Sequence, residues 1–133
     1  RFTQDARYLQ TAEACANFYI ERTPDHGVPP NDWDEIDSPY AHESSAAAIA
    51  ASGLLQLAQI TGDAARGRAY RLYAYRILET LTGPDFLANE TPGWEGILKQ
   101  GMYHQRLGFG VNESVMWGDH FFLEAVSKVL GHE

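Results

Sequence analysis

The sequence predicts an all-α domain of four helices, arranged as two αα-hairpin-like pairs with long loops at one end. Three observations carry this. Apolar residues recur at helical spacing in four stretches. One of them, Glu43 to Ile60, has almost no polar face: between Ala46 and Leu55 only Ser52 carries a polar side chain. Two long aperiodic segments, Pro24 to His42 and Asp85 to Trp117, lead into the second and fourth stretches. A helix that is apolar all round is normally buried on all sides, so Glu43 to Ile60 is the expected centre of one domain spanning residues 1–133.

Taken in order, the first helix is expected from about Thr3 to Thr23. Tyr8, Ala12, Cys15 and Tyr19 form its stripe, Leu9, Ala16 and Ile20 widen it, and Pro24 ends it. The loop that follows holds Trp33 and Tyr40 among its prolines and acids, which predicts an ordered, packed segment. The Ala-rich helix then starts at Ser44 or Ser45 as N-cap, with Glu43 suited to the positive end of the helix dipole. Thr61-Gly62-Asp63 is a short break, and Asp63 caps a third helix running to about Thr82. Ala69, Tyr73, Ile77 and Leu81 give that helix its stripe, beside Tyr70, Ala74 and Leu78, while Arg66, Arg68, Arg71 and Arg76 form a wet face. So short a connection makes an αα-hairpin. Gly83-Pro84 stops the third helix, Ile97 to His104 reads as a short extended run, and the last helix begins between Val115 and Asp119. It carries Phe122, Ala125, Val126 and Val129 on one side and ends at Gly131. Both long loops feed helix N-termini, so both are expected at one end of the bundle, where a helical scaffold presents a binding face.

Bulk composition narrows the function. The net charge is −8, ten Lys and Arg against eighteen Asp and Glu, which argues against a nucleic-acid partner. There is no basic amphipathic helix, which argues against a membrane surface. Cys15 is the only cysteine, so no internal disulfide or thiolate metal cluster is expected; that suits a reducing cytoplasm. The N-terminus shows no signal-peptide pattern; it opens inside a helical pattern without Met, as if cut from a longer chain. His26, His42, His104, His120 and His132 lack metal-ligand spacing, and no phosphate-binding loop, nucleophile elbow or zinc-protease motif is present, so neither metal nor cofactor is expected. Asp32, Asp34, Glu35 and Asp37 lack the spacing of a calcium loop and read as a solvated acidic face. Asn89-Glu90-Thr91 and Asn112-Glu113-Ser114 read as chance matches to a glycosylation pattern.

What remains is chemistry suited to a sugar. Carboxylates that could work in acid/base pairs are Asp32, Asp34, Glu43, Glu113 and Asp119, with helix capping the plainer role for Glu43 and Asp119. Trp33, Trp94 and Tyr103 offer flat apolar faces that match a pyranose, though core or loop anchoring is the plainer role for each.

Four segments resemble one family. Glu43 to Leu55 is similar to a segment of the unsaturated glucuronyl hydrolases, glycoside hydrolase family 88. Asp25-His26-Gly27-Val28-Pro29-Pro30-Asn31-Asp32-Trp33-Asp34 resembles the family's Gly-Val-Pro loop, Gly96 to His104 a later loop, and Gly110 to Ala125 the entry to its final helix. The resemblance covers nearly the whole chain and the C-terminal third of the family's length. It implies part of an (α/α)6 barrel and, as partner, an oligosaccharide carrying the 4,5-unsaturated uronic acid that polysaccharide lyases leave. The family hydrates that double bond without metal or organic cofactor. Its two essential aspartates lie in the N-terminal part, so no residue of this chain is assigned a catalytic role. The loop around Tyr103 and His104 borders the subsite beyond the cleaved bond, which makes Tyr103, His104, Arg106 and Trp33 the expected substrate-binding residues. Some relatives place serines and a lysine in this loop to accept sulfated sugars; here it reads His104-Gln105-Arg106-Leu107-Gly108-Phe109. Glu43 stands where relatives usually have Asp. Three readings follow: a truncated hydrolase relative, inactive by itself; a free-standing helical binding or assembly module; or a piece of an active full-length hydrolase. Three other helices are too few to enclose the Ala-rich helix, so the chain is expected to self-associate.

Overall fold

The computed structural model describes residues 5–35 and 42–132. The expected contributions of Thr3, Asp37 and Tyr40 therefore lie outside the described residues. Four helices form, α1 (Ala6–Arg22), α2 (Ser44–Ile60), α3 (Ala64–Leu81) and α4 (Met116–Leu130). Between α3 and α4 stands an antiparallel hairpin of β1 (Gly101–His104) and β2 (Phe109–Glu113), joined by a 3-10 turn at Gln105–Leu107.

α2 is the hub. It packs against α3 and α4 and leans lightly on α1, while α3 and α4 barely touch. Ala47, Ala48, Ala51, Leu54, Leu55 and Leu57 are buried, and Tyr70, Ala74, Ile77, Leu78 and Leu81 of α3 with Phe122 and Ala125 of α4 meet them in a single core. The expectation of burial on every side holds for only part of the helix. Ile49 and Ile60 are each 41 % exposed, and Gly53 and Gln56 on the same strip are open.

The caps follow elementary chemistry, with one correction. Asp5 caps α1 by accepting from the Arg7 N–H, and Asp63 caps α3 by accepting from Ala65 and Arg66. Glu43, and neither Ser44 nor Ser45, caps α2: its carboxylate accepts from the Ser45 and Ala46 N–H groups. A side chain one methylene longer than Asp reaches these amides because residue 43 is extended, at φ −133° and ψ 91°.

The stripe expected on α1 is turned. Tyr8, Ala12 and Cys15 are exposed, and the partly buried residues are Leu9, Ala16, Tyr19 and Ile20. α1 is fastened largely by polar contacts. The Tyr19 hydroxyl donates to the Gly27 carbonyl at 2.9 Å, and the Glu13 carboxylate accepts from the Thr61 hydroxyl at 2.7 Å and the Arg66 guanidinium at 2.5 Å. Ala69 and Val129, expected on core stripes, are also exposed, because α1 and α4 cover less of their neighbours than an enclosed bundle would.

α4 approaches α2 closely at Gly118, where an added Cβ would stand 2.8 Å from the Ser45 Cβ. Near the middle of α2, the buried Ser52 hydroxyl donates to Glu124 at 2.5 Å and accepts from Lys128 Nζ at 2.7 Å. The Ser52 hydrogen bond, with Lys128 beside it, holds the Glu124 carboxyl below the usual carboxylate range.

The extended run expected at Ile97 to His104 contains β1, but β2 is an addition to the all-helical reading. Gly101 pairs with Glu113, Met102 with Val111 and His104 with Phe109, with an irregularity between Gly101 and Met102. The approach to β1 is tied to α4. Asp119, expected to cap its own helix, instead accepts from the Ile97 and Leu98 N–H groups, each at 2.9 Å. The Ser114 hydroxyl donates to the Leu98 carbonyl and accepts from the Trp94 indole at 2.8 Å.

Two substitutions test these joints. Gly118→Ala pushes α4 off α2 and lowers unfolding free energy by about 1–3 kcal/mol, the usual cost of overpacking, read by chemical denaturation. Asp119→Ala leaves two enclosed amides without an acceptor and costs about 1–3 kcal/mol; hydrogen exchange at Ile97 and Leu98 then accelerates while that of the α3 core stays slow.

Candidate functional site

The two long loops meet at one end of the helices, as the sequence predicts. The Glu43 N–H donates to the Pro29 carbonyl at 2.8 Å and the Ser44 N–H to the Gln100 carbonyl at 3.0 Å, so both loops are stitched to the start of α2. Across them, the Asn31 side-chain amide donates to the Gln105 side chain at 2.8 Å. Behind that contact the rings of His26, His42 and Phe86 stand edge to face, at 5.4 Å and 5.3 Å between centroids. Burial, then the neighbouring His42, holds the His26 imidazole below its ordinary pKa.

Between the loops lies a cleft of about 300 Å³, lined by Asn31, Asp32, Glu35, Tyr103, His104, Gln105 and Arg106. Its walls come from different elements: the Pro-rich loop supplies Asn31, Asp32 and Glu35, β1 supplies Tyr103 and His104, and the 3-10 turn supplies Gln105 and Arg106. Tyr103 is 63 % exposed, and its ring tilts against Trp117 at 5.6 Å and 59°. Asp32 is fixed in a turn of its own, where its carboxylate accepts from the Asp34 N–H at 2.9 Å. An exposed aromatic face bordered by amides, carboxylates and a guanidinium can stack on one face of a ring and hydrogen-bond to substituents around it.

Of the residues expected to bind substrate, Tyr103, His104 and Arg106 are brought together here. Trp33 is not. Its indole stands edge-on to Phe18 at 5.6 Å and Tyr19 at 6.0 Å, anchoring the loop to α1 and lining a separate apolar groove of about 530 Å³ beside Ile49, Gly53 and Ile60. Trp94 serves Ser114, away from the cleft. Among the candidate carboxylates, only Asp32 lines the cleft; Asp34 pairs with Arg22 at 2.9 Å, and Glu43 and Asp119 are engaged by backbone amides. Asn31 and Gln105 carry no expected role from the sequence, and Glu35 reads there only as part of a solvated acidic face. Polar loop residues carry no periodic signal, and only the pairing of the loops gathers them.

Among the described residues, no group of three or more His, Cys, Asp or Glu is placed to hold a metal ion, and no helix is long and apolar enough to cross a membrane.

No protein-family model matches the chain. Individual proteins do. An unsaturated glucuronyl hydrolase from Bacillus sp. strain GL1 is 29 % identical over 130 residues, which are 97 % of this chain and 34 % of that protein. One from Formosa agariphila is 31 % identical over 131 residues, 96 % of this chain and 32 % of that protein. Among solved structures, an unsaturated glucuronyl hydrolase specific for heparin superposes with a TM-score of 0.86 at 29 % identity, over 97 % of this chain and 35 % of that one. The chain thus spans about a third of the length of the relatives it matches. Over that third, in both sequence and fold, it is similar to the unsaturated glucuronyl hydrolases.

Proposed function

We propose that this chain supplies the sugar-holding loop end of a hydrolase that hydrates 4,5-unsaturated uronyl residues on lyase-generated oligosaccharides. The observation that carries the reading is the Tyr103 cleft: two loops that resemble the family's are joined at the start of α2, and their exposed aromatic and polar side chains converge. In this reading Tyr103 stacks on the sugar beyond the cleaved bond, and His104 and Arg106 hydrogen-bond to its substituents. Trp33 acts through the loop it anchors. No carboxylate of this chain is assigned the proton transfer, so the 133 residues alone give no turnover. The test uses an unsaturated chondroitin disaccharide, whose ultraviolet absorbance is lost when the double bond is hydrated. The protein at its natural length hydrolyses it, Tyr103→Ala raises KM about tenfold, and the 133-residue chain alone leaves it intact. Turnover by the short chain would overturn the assignment of catalysis elsewhere.

A second reading, a helical assembly module without catalysis, draws support from the open strip of α2. Ile49, Gly53, Gln56 and Ile60 line the apolar groove against α1. Covering such a strip is worth roughly 25 cal/mol per Å². By itself the 133-residue chain therefore self-associates through this groove, and Ile49→Glu returns it to monomer. Sedimentation at micromolar concentration checks this; a folded monomer of the unsubstituted chain would end the self-association reading.

A further inference from the structure

We propose that Ser45 and Trp117 are positioning residues that hold the Tyr103 ring in place for the ligand, a proposal that rests on reading the Tyr103 cleft as the sugar site. Tyr103 is largely exposed, and a free phenol side chain on a strand samples several rotamers, whose loss a ligand would have to offset. Here the ring has a fixed neighbour, the indole of Trp117. That indole is itself fixed: its Nε1–H donates to Ser45 Oγ at 2.9 Å. The Ser45 hydroxyl, 2 % exposed, has one orientation open to it. A carboxylate only accepts and an indole N–H only donates, so the hydroxyl proton points to Glu43 Oε1, 2.7 Å away, and its lone pairs face Trp117. The same Glu43 oxygen accepts from the Met102 N–H at 3.1 Å, one residue before Tyr103.

Tyr103 is thus held at its ring through Trp117 and Ser45 and at its backbone through Met102, and both routes end on one buried oxygen. The opposite strand closes on the root of the side chain: a Cβ at Gly110 would stand 2.9 Å from the Tyr103 Cβ. A role in packing alone would tie Trp117 to the core by its ring. The indole–hydroxyl–carboxylate chain adds a directional constraint that packing does not need, and it runs to the phenol ring that lines the cleft.

The test is a double-mutant cycle on the protein at its natural length, with the unsaturated chondroitin disaccharide as probe and KM or Kd as readout. Ser45→Ala keeps the Glu43 cap and removes the hydroxyl; Trp117→Phe keeps a ring and removes the N–H. Each weakens binding about three- to tenfold, the size of one aromatic contact, with kcat little changed. Neither weakens it further when Tyr103 is already Ala, because the effect passes through that ring. Equal losses in both backgrounds, or no loss in the Tyr103 background, overturn the proposal. If Tyr103→Ala leaves affinity unchanged, the cleft reading fails and the proposal with it. A ligand-free readout stands beside the cycle: the fluorine resonance of fluorotyrosine at position 103, identified by its loss in Tyr103→Phe, shifts or broadens in Ser45→Ala. A resonance that stays unmoved overturns the proposal whatever the binding data show.

Discussion

The Glu43 carboxylate, 8 % exposed, takes N–H groups from two parts of the chain nearly sixty residues apart: Ser45 and Ala46 at the start of α2, and Met102 on β1. A buried carboxylate is expensive unless donors replace the water it gives up. Here three amides and the Ser45 hydroxyl do so, and the N-terminal end of α2 contributes its dipole. The requirement runs the other way as well. The amides at the start of α2 lack partners within their helix, and the Met102 amide faces the same oxygen, so helix and hairpin satisfy each other only in one relative position. That position sets where Tyr103 and the 3-10 turn stand, and so where the cleft is.

Around this joint the helices differ in how firmly they are held. α3 and α4 bury apolar side chains against α2, and small residues let the backbones close up, Gly118 of α4 against Ser45 and Gly67 of α3 against Ala58. α1 contributes no fully buried residue. Leu9, Ala16, Tyr19 and Ile20 pack against the core only partly buried, and polar and edge-on contacts, among them the Glu13–Arg66 ion pair and those of Trp33 with Phe18 and Tyr19, supplement them. Partly exposed ion pairs stabilise little, so the side of α2 beneath α1 is the weakly closed one, and it is there that Ile49 and Ile60 stay open. The relatives are about three times as long as this chain; among its described residues this face of α2 stays open at Ile49 and Ile60.

The sequence made four helices legible because each carries a local signal: apolar residues at helical spacing, acids at residues 43 and 63, Pro24 and Gly131 at ends, and an Ala-Leu run that cannot face water. It made the loop end legible through topology, since both aperiodic segments had to enter helices from one side. The signals failed where tertiary contacts decide. Tyr8, Ala12 and Cys15 share a helix face, but which face of α1 turns inward depends on polar anchors at Tyr19 and Glu13 that periodicity does not record. β2 escaped notice because Phe109-Gly110-Val111-Asn112-Glu113 contains a glycine and a positive-φ asparagine, and it pairs only because Glu43 holds β1 beside it. Asp119 reads as a cap from its place in the first turn, yet the loop amides of Ile97 and Leu98 had the greater need of it. Trp33 reads as a sugar platform from its ring alone, and its fate was set by Phe18 and Tyr19.

The same distinction explains the charge of the cleft. Net charge is negative over the whole chain, and the cleft follows it, with Asp32 and Glu35 facing Arg106 and His104. Two carboxylates around one guanidinium neither attract a strongly anionic ring nor exclude a hydroxylated one, so in the proposed sugar-holding role recognition depends on stacking and hydrogen-bond geometry more than on Coulomb attraction. Geometry of that kind is lost if the aromatic ring is free to turn. A cleft on loops can offer it only when the loops are fastened to something rigid, and α2, the most deeply packed helix, is what Glu43, Ser44 and Ser45 fasten them to. The apolar helix and the polar cleft are therefore one device: the first supplies a fixed floor, and three consecutive residues at its N-terminal end transmit that fixity to the side chains that line the cleft.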